Sequence, residues 1–340
     1  TVTETAAAGF TTESTGATGE ISTEKKTAVF TNTKKPGDLK IEKVLEGNDT
    51  ESDKEFHFVI EVAGAAGKTY EAEGLEGTSS VTFGENGKAT VALKGGQSIL
   101  IKGLPDGAKY DVTETEANQD RYTTTSESAS GTISYEKTAE AAPDAKFTNK
   151  REKGDLELSK TVVSDAAADK NAEFTFTVTL GDITINGKYG DMTFADGVAT
   201  VKLKDGQSVT ATGLPTGITY TVTEAEASGF TTTKTSDTGT ISTTKSTAAF
   251  TNTRETGDLD VKKSVVSTTA NDKQKYFTFT VTLGDTTINK TFNGVKFENG
   301  VATFTLKDSE TKSITGLPVG IRYTVTETAA AGFTTESTGA

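Results

Sequence analysis

The sequence predicts an all-β fold of tandem antiparallel β-sandwiches, and three observations predict it. One motif returns along the chain, as GLPDGAKYDVTE at 103–114, GLPTGITYTVTE at 213–224 and GLPVGIRYTVTE at 316–327, which marks a repeat architecture. Between the copies Thr, Val, Phe and Ile alternate with polar residues, the period-two pattern of strands with one buried face. Turn residues interrupt the alternation every ~8–12 residues, as a sandwich requires, and no segment carries a convincing helical stripe.

Composition narrows the function classes. Only 33% of the 340 residues are apolar, with no Trp and one Met, which suits several small cores better than one large one. A net charge of −13 argues against nucleic-acid binding, which basic surfaces drive. There is no Cys and a single His, His57, so disulfides, thiol chemistry and His-rich metal sites are excluded. No run approaches the ~18 apolar residues of a membrane helix, and no cofactor-binding motif, phosphate-binding Gly loop or hydrolase triad is present.

In chain order, residues 1–17 are identical to residues 324–340, so the sequence starts and stops at the same phase of a repeat. The connectors TKKPGDL (33–39), KREKGDL (150–156) and TRETGDL (253–259) divide it. Residues 1–36 read as the C-terminal part of a repeat, 37–153 and 154–256 as complete repeats, and 257–340 as the N-terminal part of another. This is the expectation for a window on a longer fibre. The other expectation is that 18–36 completes the 257–340 repeat of a neighbouring chain. In the second repeat the strands are LELSKTVV, FTFTVTL (174–180), VATVKL (198–203), SVTATGL, YTVTE and TAAFTN (247–252), with LGD, ADG, KDGQ and LPTG as turns. The extra length of the first repeat, around 63–80, reads as a longer loop or an added hairpin. Short charged connectors predict an end-to-end rod.

Strand alternation then singles out three polar residues per repeat. Residues i, i+2 and i+4 of a strand share a face. Leu156, Leu158 and Lys160 therefore point together, as do Tyr220, Val222 and Glu224, and Ala248, Phe250 and Asn252. The first repeat has Lys43, Glu114 and Asn149 in the same positions. Lys263 and Glu327 recur in 257–340, and Glu4 and Asn32 in 1–36. A Lys and a Glu at the inner ends of apolar strands are costly unless paired. Burial drives the Lys toward its neutral amine and the Glu toward its neutral acid. A neutral amine is a nucleophile, and a carboxylic acid that donates to the Asn amide oxygen polarises it. Attack of the amine on the amide carbon would expel ammonia and leave a Lys–Asn isopeptide bond joining the first and last strands. That is a single autocatalytic turnover, with no enzyme activity beyond it. Glu116 and Glu226, two residues further along, are alternative acids. A non-covalent buried triad and solvated strand ends compete with the whole reading.

The Lys in the first strand, the Tyr-x-Val-x-Glu strand and the closing Phe-x-Asn resemble the intramolecular-isopeptide domains of Gram-positive surface proteins. These are the CnaB-type prealbumin-like repeats of adhesins and the streptococcal pilin isopeptide-linkage domains. The resemblance spans nearly the whole chain. It implies a reversed immunoglobulin-like or transthyretin-like sandwich, a spontaneous Lys–Asn bond and a Glu that promotes it. It also implies a cell-wall-anchored location on the surface of a Gram-positive bacterium. Partners would be neighbouring repeats of the same fibre, with a host ligand at an absent tip. No LPxTG sorting signal or pilin-polymerising motif lies in the sequence.

The expected function is a stalk or fibre segment of an adhesin or pilus. The alternative is a set of repeats that bind a host protein or glycan, for which a shared exposed aromatic patch would be the mark; the alternation shows none. Other features carry less. His57 alternates with Phe56 and Phe58 and should face solvent. Asp182, Asp196 and Asn299 could bind calcium, but turn chemistry accounts for them. The Thr-rich stretches 11–24 and 231–247 could carry O-glycans, or could simply be exposed strand faces.

Overall fold

The computed structural model describes residues 1–137 and 143–339. The chain forms two compact units, Thr1–Glu152 and Lys153–Ala340. Strands dominate both, and among the described residues helix is confined to two short turns, Ala167–Asn171 and Ala270–Lys273.

In the first unit the core lies between two sheets. One has the strand order Thr123–Glu127, Ala145–Lys150, Gly37–Glu46, Ser98–Leu104, Thr69–Leu75, Thr78–Thr82. The other has the order Ser130–Thr132, Lys109–Glu114, Phe56–Val62, Lys88–Leu93. Alternation delivers the inward residues: Leu39 and Ile41 from one sheet meet Phe56, Phe58 and Ile60 from the other in one buried cluster. The extra length of this repeat is a hairpin, Thr69–Leu75 with Thr78–Thr82, added to the edge of the first sheet. Residues Phe10–Thr15 and Val29–Lys34 form a separate two-stranded hairpin.

The second unit holds two further cores. Leu156, Leu158, Phe176, Val178, Val222 and Phe250 belong to one cluster, and Val261, Phe279, Val281 and Ile314 to the other. The strands expected at 174–180 and 198–203 stand at Phe174–Leu180 and Val198–Leu203. Phe174–Leu180 pairs on one side with Val198–Leu203 and on the other with Thr219–Glu224. The third core repeats this with Phe277–Leu283 between Val301–Leu306 and Tyr323–Glu327.

Most pairs are antiparallel, but the first and last strands of a repeat are not. Gly37–Glu46 runs parallel to Ala145–Lys150, and Lys153–Val163 runs parallel to Ser246–Arg254. Parallel neighbours need a long connection between them, and here the rest of the repeat is that connection.

The recurring turn is built by two distant motifs. Its glycines take positive φ, 77° and 81° at Gly103 and Gly107, and 76° and 83° at Gly213 and Gly217, a region closed to most side chains. The Asp of each Gly-Asp-Leu connector then accepts a hydrogen bond from the first of these glycines. Gly103 N donates to Asp38 at 3.1 Å, Gly213 N to Asp155 at 3.0 Å and Gly316 N to Asp258 at 3.0 Å. Each Asp sits where the ladder register shifts by one residue. The connector thus fixes the turn that starts the Tyr-x-Val-x-Glu strand.

Candidate functional site

The Tyr-x-Val-x-Glu strand is anchored before it presents its acid. Tyr110 and Tyr220 are buried, and each lies against a glycine, Gly131 or Gly239, where a Cβ would come within 2.7 Å of the phenol oxygen. Their hydroxyls donate to Ser128 O and Ser236 O, both at 3.2 Å. Two pleats on, Glu114 and Glu224 pair in register with Phe58 and Phe176. The Glu therefore comes from one sheet, while the Lys and Asn come from the other.

Across the first core Glu114 joins the two. Lys43 Nζ donates to Glu114 Oε2 at 2.9 Å, and Asn149 Nδ2 donates to Glu114 Oε1 at 2.5 Å. Lys43 and Asn149 are fully buried and Glu114 is 3% exposed. The second core has the same arrangement. Lys160 Nζ reaches Glu224 Oε1 at 2.8 Å and Oε2 at 3.0 Å, and Asn252 Nδ2 donates to Glu224 Oε1 at 2.6 Å. The amine also lies over an aromatic face, 4.4 Å from the Phe56 centroid in the first core and 4.5 Å from Phe174 in the second. Edge-on ring pairs, Phe58 with Phe147 and Phe176 with Phe250, close the sites on the core side.

The remaining candidates stand in two partial sets. Lys263 Nζ binds both oxygens of Glu327, at 2.9 and 2.8 Å, beside Phe277. Asn32 Nδ2 donates to Glu4 Oε1 at 2.5 Å on the exposed hairpin. The contacting Lys and Glu stand 64 residues apart in two repeats, and the contacting Glu and Asn 28 apart in two places.

Two details differ from the sequence reading. Each carboxyl meets the amide nitrogen of its Asn, not the amide oxygen. It therefore touches both the Lys amine and the Asn amide nitrogen. Glu116 is engaged elsewhere, binding His57 through both its backbone N–H, at 2.8 Å, and its ring Nδ1, at 2.7 Å. The acid that contacts Lys43 is Glu114. The aromatic ring beneath each amine has only a weak mark in the sequence, Phe174 sharing a strand face with Phe176 at spacing two.

Burial holds the Lys43 and Lys160 amines below the ordinary lysine value, against the opposing pull of Glu114 and Glu224. Removing a charge from water disfavours the charged form, so these two amines lose their protons more readily than a surface lysine. Among the described residues no group of three or more His, Asp or Glu side chains converges as metal ligands. Asp182 instead accepts from the N–H and hydroxyl of Thr184 within its own turn. Among the described residues no helix is long and apolar enough to cross a membrane.

A stretch of 84 residues is 37% identical to the pilus tip adhesin Cpa of Streptococcus pyogenes; it covers 24% of this chain and 12% of that protein. Among solved structures, a pilus-presented adhesin matches at 25% identity over 46% of this chain and 38% of that one, with a TM-score of 0.27. The major pilin T-13 of Streptococcus pyogenes matches at 18% identity over 65% of this chain and 98% of that one, with a TM-score of 0.36. The chain thus spans well under half of the adhesin it matches. A family model described as a domain of unknown function, DUF7601, matches residues 37–151, 154–254 and 257–340, and the chain belongs to that family.

Proposed function

We propose that this chain is a structural segment of a Gram-positive surface fibre, of the pilus or adhesin kind, whose repeats lock themselves with Lys–Asn isopeptide bonds. The observation that carries the reading is the buried Glu carboxyl bridging Lys Nζ and Asn Nδ2, present at Glu114 and again at Glu224. A carboxyl in that position can take a proton from the amine and deliver it to the amide nitrogen. The Lys43 or Lys160 nitrogen forms a bond to the Asn side-chain carbon, the bond from that carbon to Nδ2 breaks, and ammonia leaves. Desolvation of the amine lowers its pKa below the ordinary lysine value and so favours the neutral, nucleophilic form.

The Cpa similarity, limited to part of each chain, supports assignment to the bacterial surface. Neighbouring repeats and subunits of the same fibre are then the partners, and the cell wall is the anchorage. In a chain without Cys the bond does the work of a disulfide. By the loop-entropy estimate, closing a loop of about 100 residues stabilises by roughly 4–5 kcal/mol.

Intact mass of the denatured protein tests the chemistry. Loss of two ammonias, with Lys43–Asn149 and Lys160–Asn252 peptides recovered after digestion, is the expected result. A mass equal to that of the unmodified sequence would sink the cross-linking reading and leave a non-covalent stalk.

A further inference from the structure

Attack on the Asn side-chain carbon places negative charge on Oδ1, and the second core offers a donor for it. Thr232 Oγ1 donates to Asn252 Oδ1 at 2.8 Å. We propose that Thr232 is a catalytic residue of the second repeat, the oxyanion donor of the Lys160–Asn252 reaction. This rests on the isopeptide reading above and adds a part to it. Glu224 handles the proton while Thr232 stabilises the oxygen.

Register puts the hydroxyl there. Phe230–Thr235 pairs antiparallel with Ser246–Arg254, and Thr232 lies directly opposite Asn252. The same geometry recurs on the N-terminal hairpin, where Thr12 lies opposite Asn32 and its Oγ1 donates to Asn32 Oδ1 at 2.6 Å. Both threonines stand two residues after a Phe, Phe10 and Phe230. In the third core the matching Thr335 turns its hydroxyl to Glu327 Oε1 at 3.5 Å. In these three copies the Thr two residues after the Phe reaches the Asn oxygen or the Glu.

The first repeat departs from the pattern. Tyr122 replaces the Phe, and Thr124 lies opposite Asn149. Thr124 Oγ1 accepts from Asn118 N at 2.9 Å, while its own N–H donates to Asn118 Oδ1 at 3.0 Å. Asn149 Oδ1 is buried without a hydrogen-bond partner. The turn around Asn118 has drawn the hydroxyl away from the amide.

A cleft of about 420 Å³ runs past this point in the second repeat, lined by Glu224, Phe230, Thr232 and Phe250 among others. It gives ammonia a way out on the side where Thr232 stands. A developing oxyanion in such a partly enclosed site gains from a fixed donor, and removing one donor from a fully enclosed site costs ~100–1000-fold. Opening to solvent reduces this, so we expect about 10–100-fold here.

The test is the rate of closure within the full chain. The chain is made by cell-free synthesis, quenched in acid at intervals and digested. Lys160–Asn252 and Lys43–Asn149 cross-linked peptides are then quantified side by side. Thr232→Val keeps the branched shape and removes the hydroxyl. It should slow Lys160–Asn252 closure about 10–100-fold and leave Lys43–Asn149 closure at the wild-type rate. Thr232→Ser should close nearly as fast as wild type. Should the valine variant lose hydrogen-exchange protection in 219–224, Thr232→Ala against Thr232→Ser makes the same comparison. Closure of Thr232→Val at the wild-type rate overturns the assignment, as does equal slowing in the serine variant, which would mean packing alone. Absence of either cross-link from the wild type overturns the isopeptide reading itself, a separate and recognisable result.

Discussion

Lys160 lies directly opposite Phe250 across the parallel first and last strands of its repeat, and Asn252 follows one pleat further along. Strand Lys153–Val163 enters the repeat and strand Ser246–Arg254 leaves it. Tension applied at the two ends of the repeat therefore shears this one strand pair. A bond from Lys160 to Asn252 would lie across that shear, and the polypeptide between the two residues would then carry none of the load.

Single-molecule pulling should read this directly. The closed repeat is expected to withhold the whole segment from 161 to 251. Asn252→Ala, which cannot close, should release it with an added contour length of roughly 300 Å, at about 3.3–3.6 Å per residue. Equal extension of the two proteins would show that no covalent link crosses the strand pair.

The acid is the next point of failure. Glu114→Gln and Glu224→Gln keep shape and hydrogen bonding but cannot carry a proton from amine to amide. Each should abolish its own cross-link, or slow it by ~100–10,000-fold as general acid–base catalysts do. The other repeat should close normally, because each site is complete within its own core. Mass spectrometry of the two single variants and the double variant would show one, one and no ammonia lost. Loss of both ammonias from Glu224→Gln would transfer the role to another acid, with Glu226, which lines the same cleft, first in line.

Closure should depend on pH with a definite sign. Burial lowers the Lys43 and Lys160 pKa values from the ordinary 10.5. The rate should rise with pH as the buried amine loses its proton, and level off before 10.5 is reached. The unclosed Asn252→Ala chain gives a second readout. Its unfolded state holds the Lys160 proton to higher pH than its folded state does. Where the unfolded state binds more protons, stability rises with pH. The second repeat of this variant should therefore gain stability from the lowered pKa upward and stop gaining at about 10.5. A rate that is flat across this range would show that deprotonation of the amine is not on the path.

Much of this was legible in the sequence, for a reason visible in the strands. Period two fixes the face of every residue once one face is known to be buried, so Lys160, Glu224 and Asn252 could be placed inward from Leu158, Val222 and Phe250 alone. Which groups would touch across the core was less accessible. Alternation says nothing of which sheet a strand joins, and the parallel pairing of first and last strands depends on the whole topology. The Thr232 hydroxyl has no mark in the sequence because Thr231–Thr235 is an unbroken polar run, in which no residue stands out until register sets one opposite Asn252. The link from Asp155 to Gly213 spans 58 residues and has no local signal either. Both motifs recur in each repeat, but only the folded chain shows that they recur together.

That link supports a last prediction. Asp155 accepts from Gly213 N at the shift in ladder register, and its turn begins the strand that carries Glu224. Asp155→Ala would leave the Gly213 N–H without its acceptor, at a cost of about 1–3 kcal/mol. For one repeat this lowers the melting temperature by roughly 4–8 °C per kcal/mol. The loss should be plain in the unclosed Asn252→Ala background, measured by calorimetry. Because the turn leads into the strand that carries Glu224, Asp155→Ala in the chain that retains Asn252 should slow closure as well as soften the fold. Asp155→Asn, whose side-chain oxygen can still accept, should restore most of both. An alanine variant with unchanged melting and unchanged closure would show that the turn holds its shape through its glycines alone, and that the Gly-Asp-Leu connector plays no part in aiming the acid.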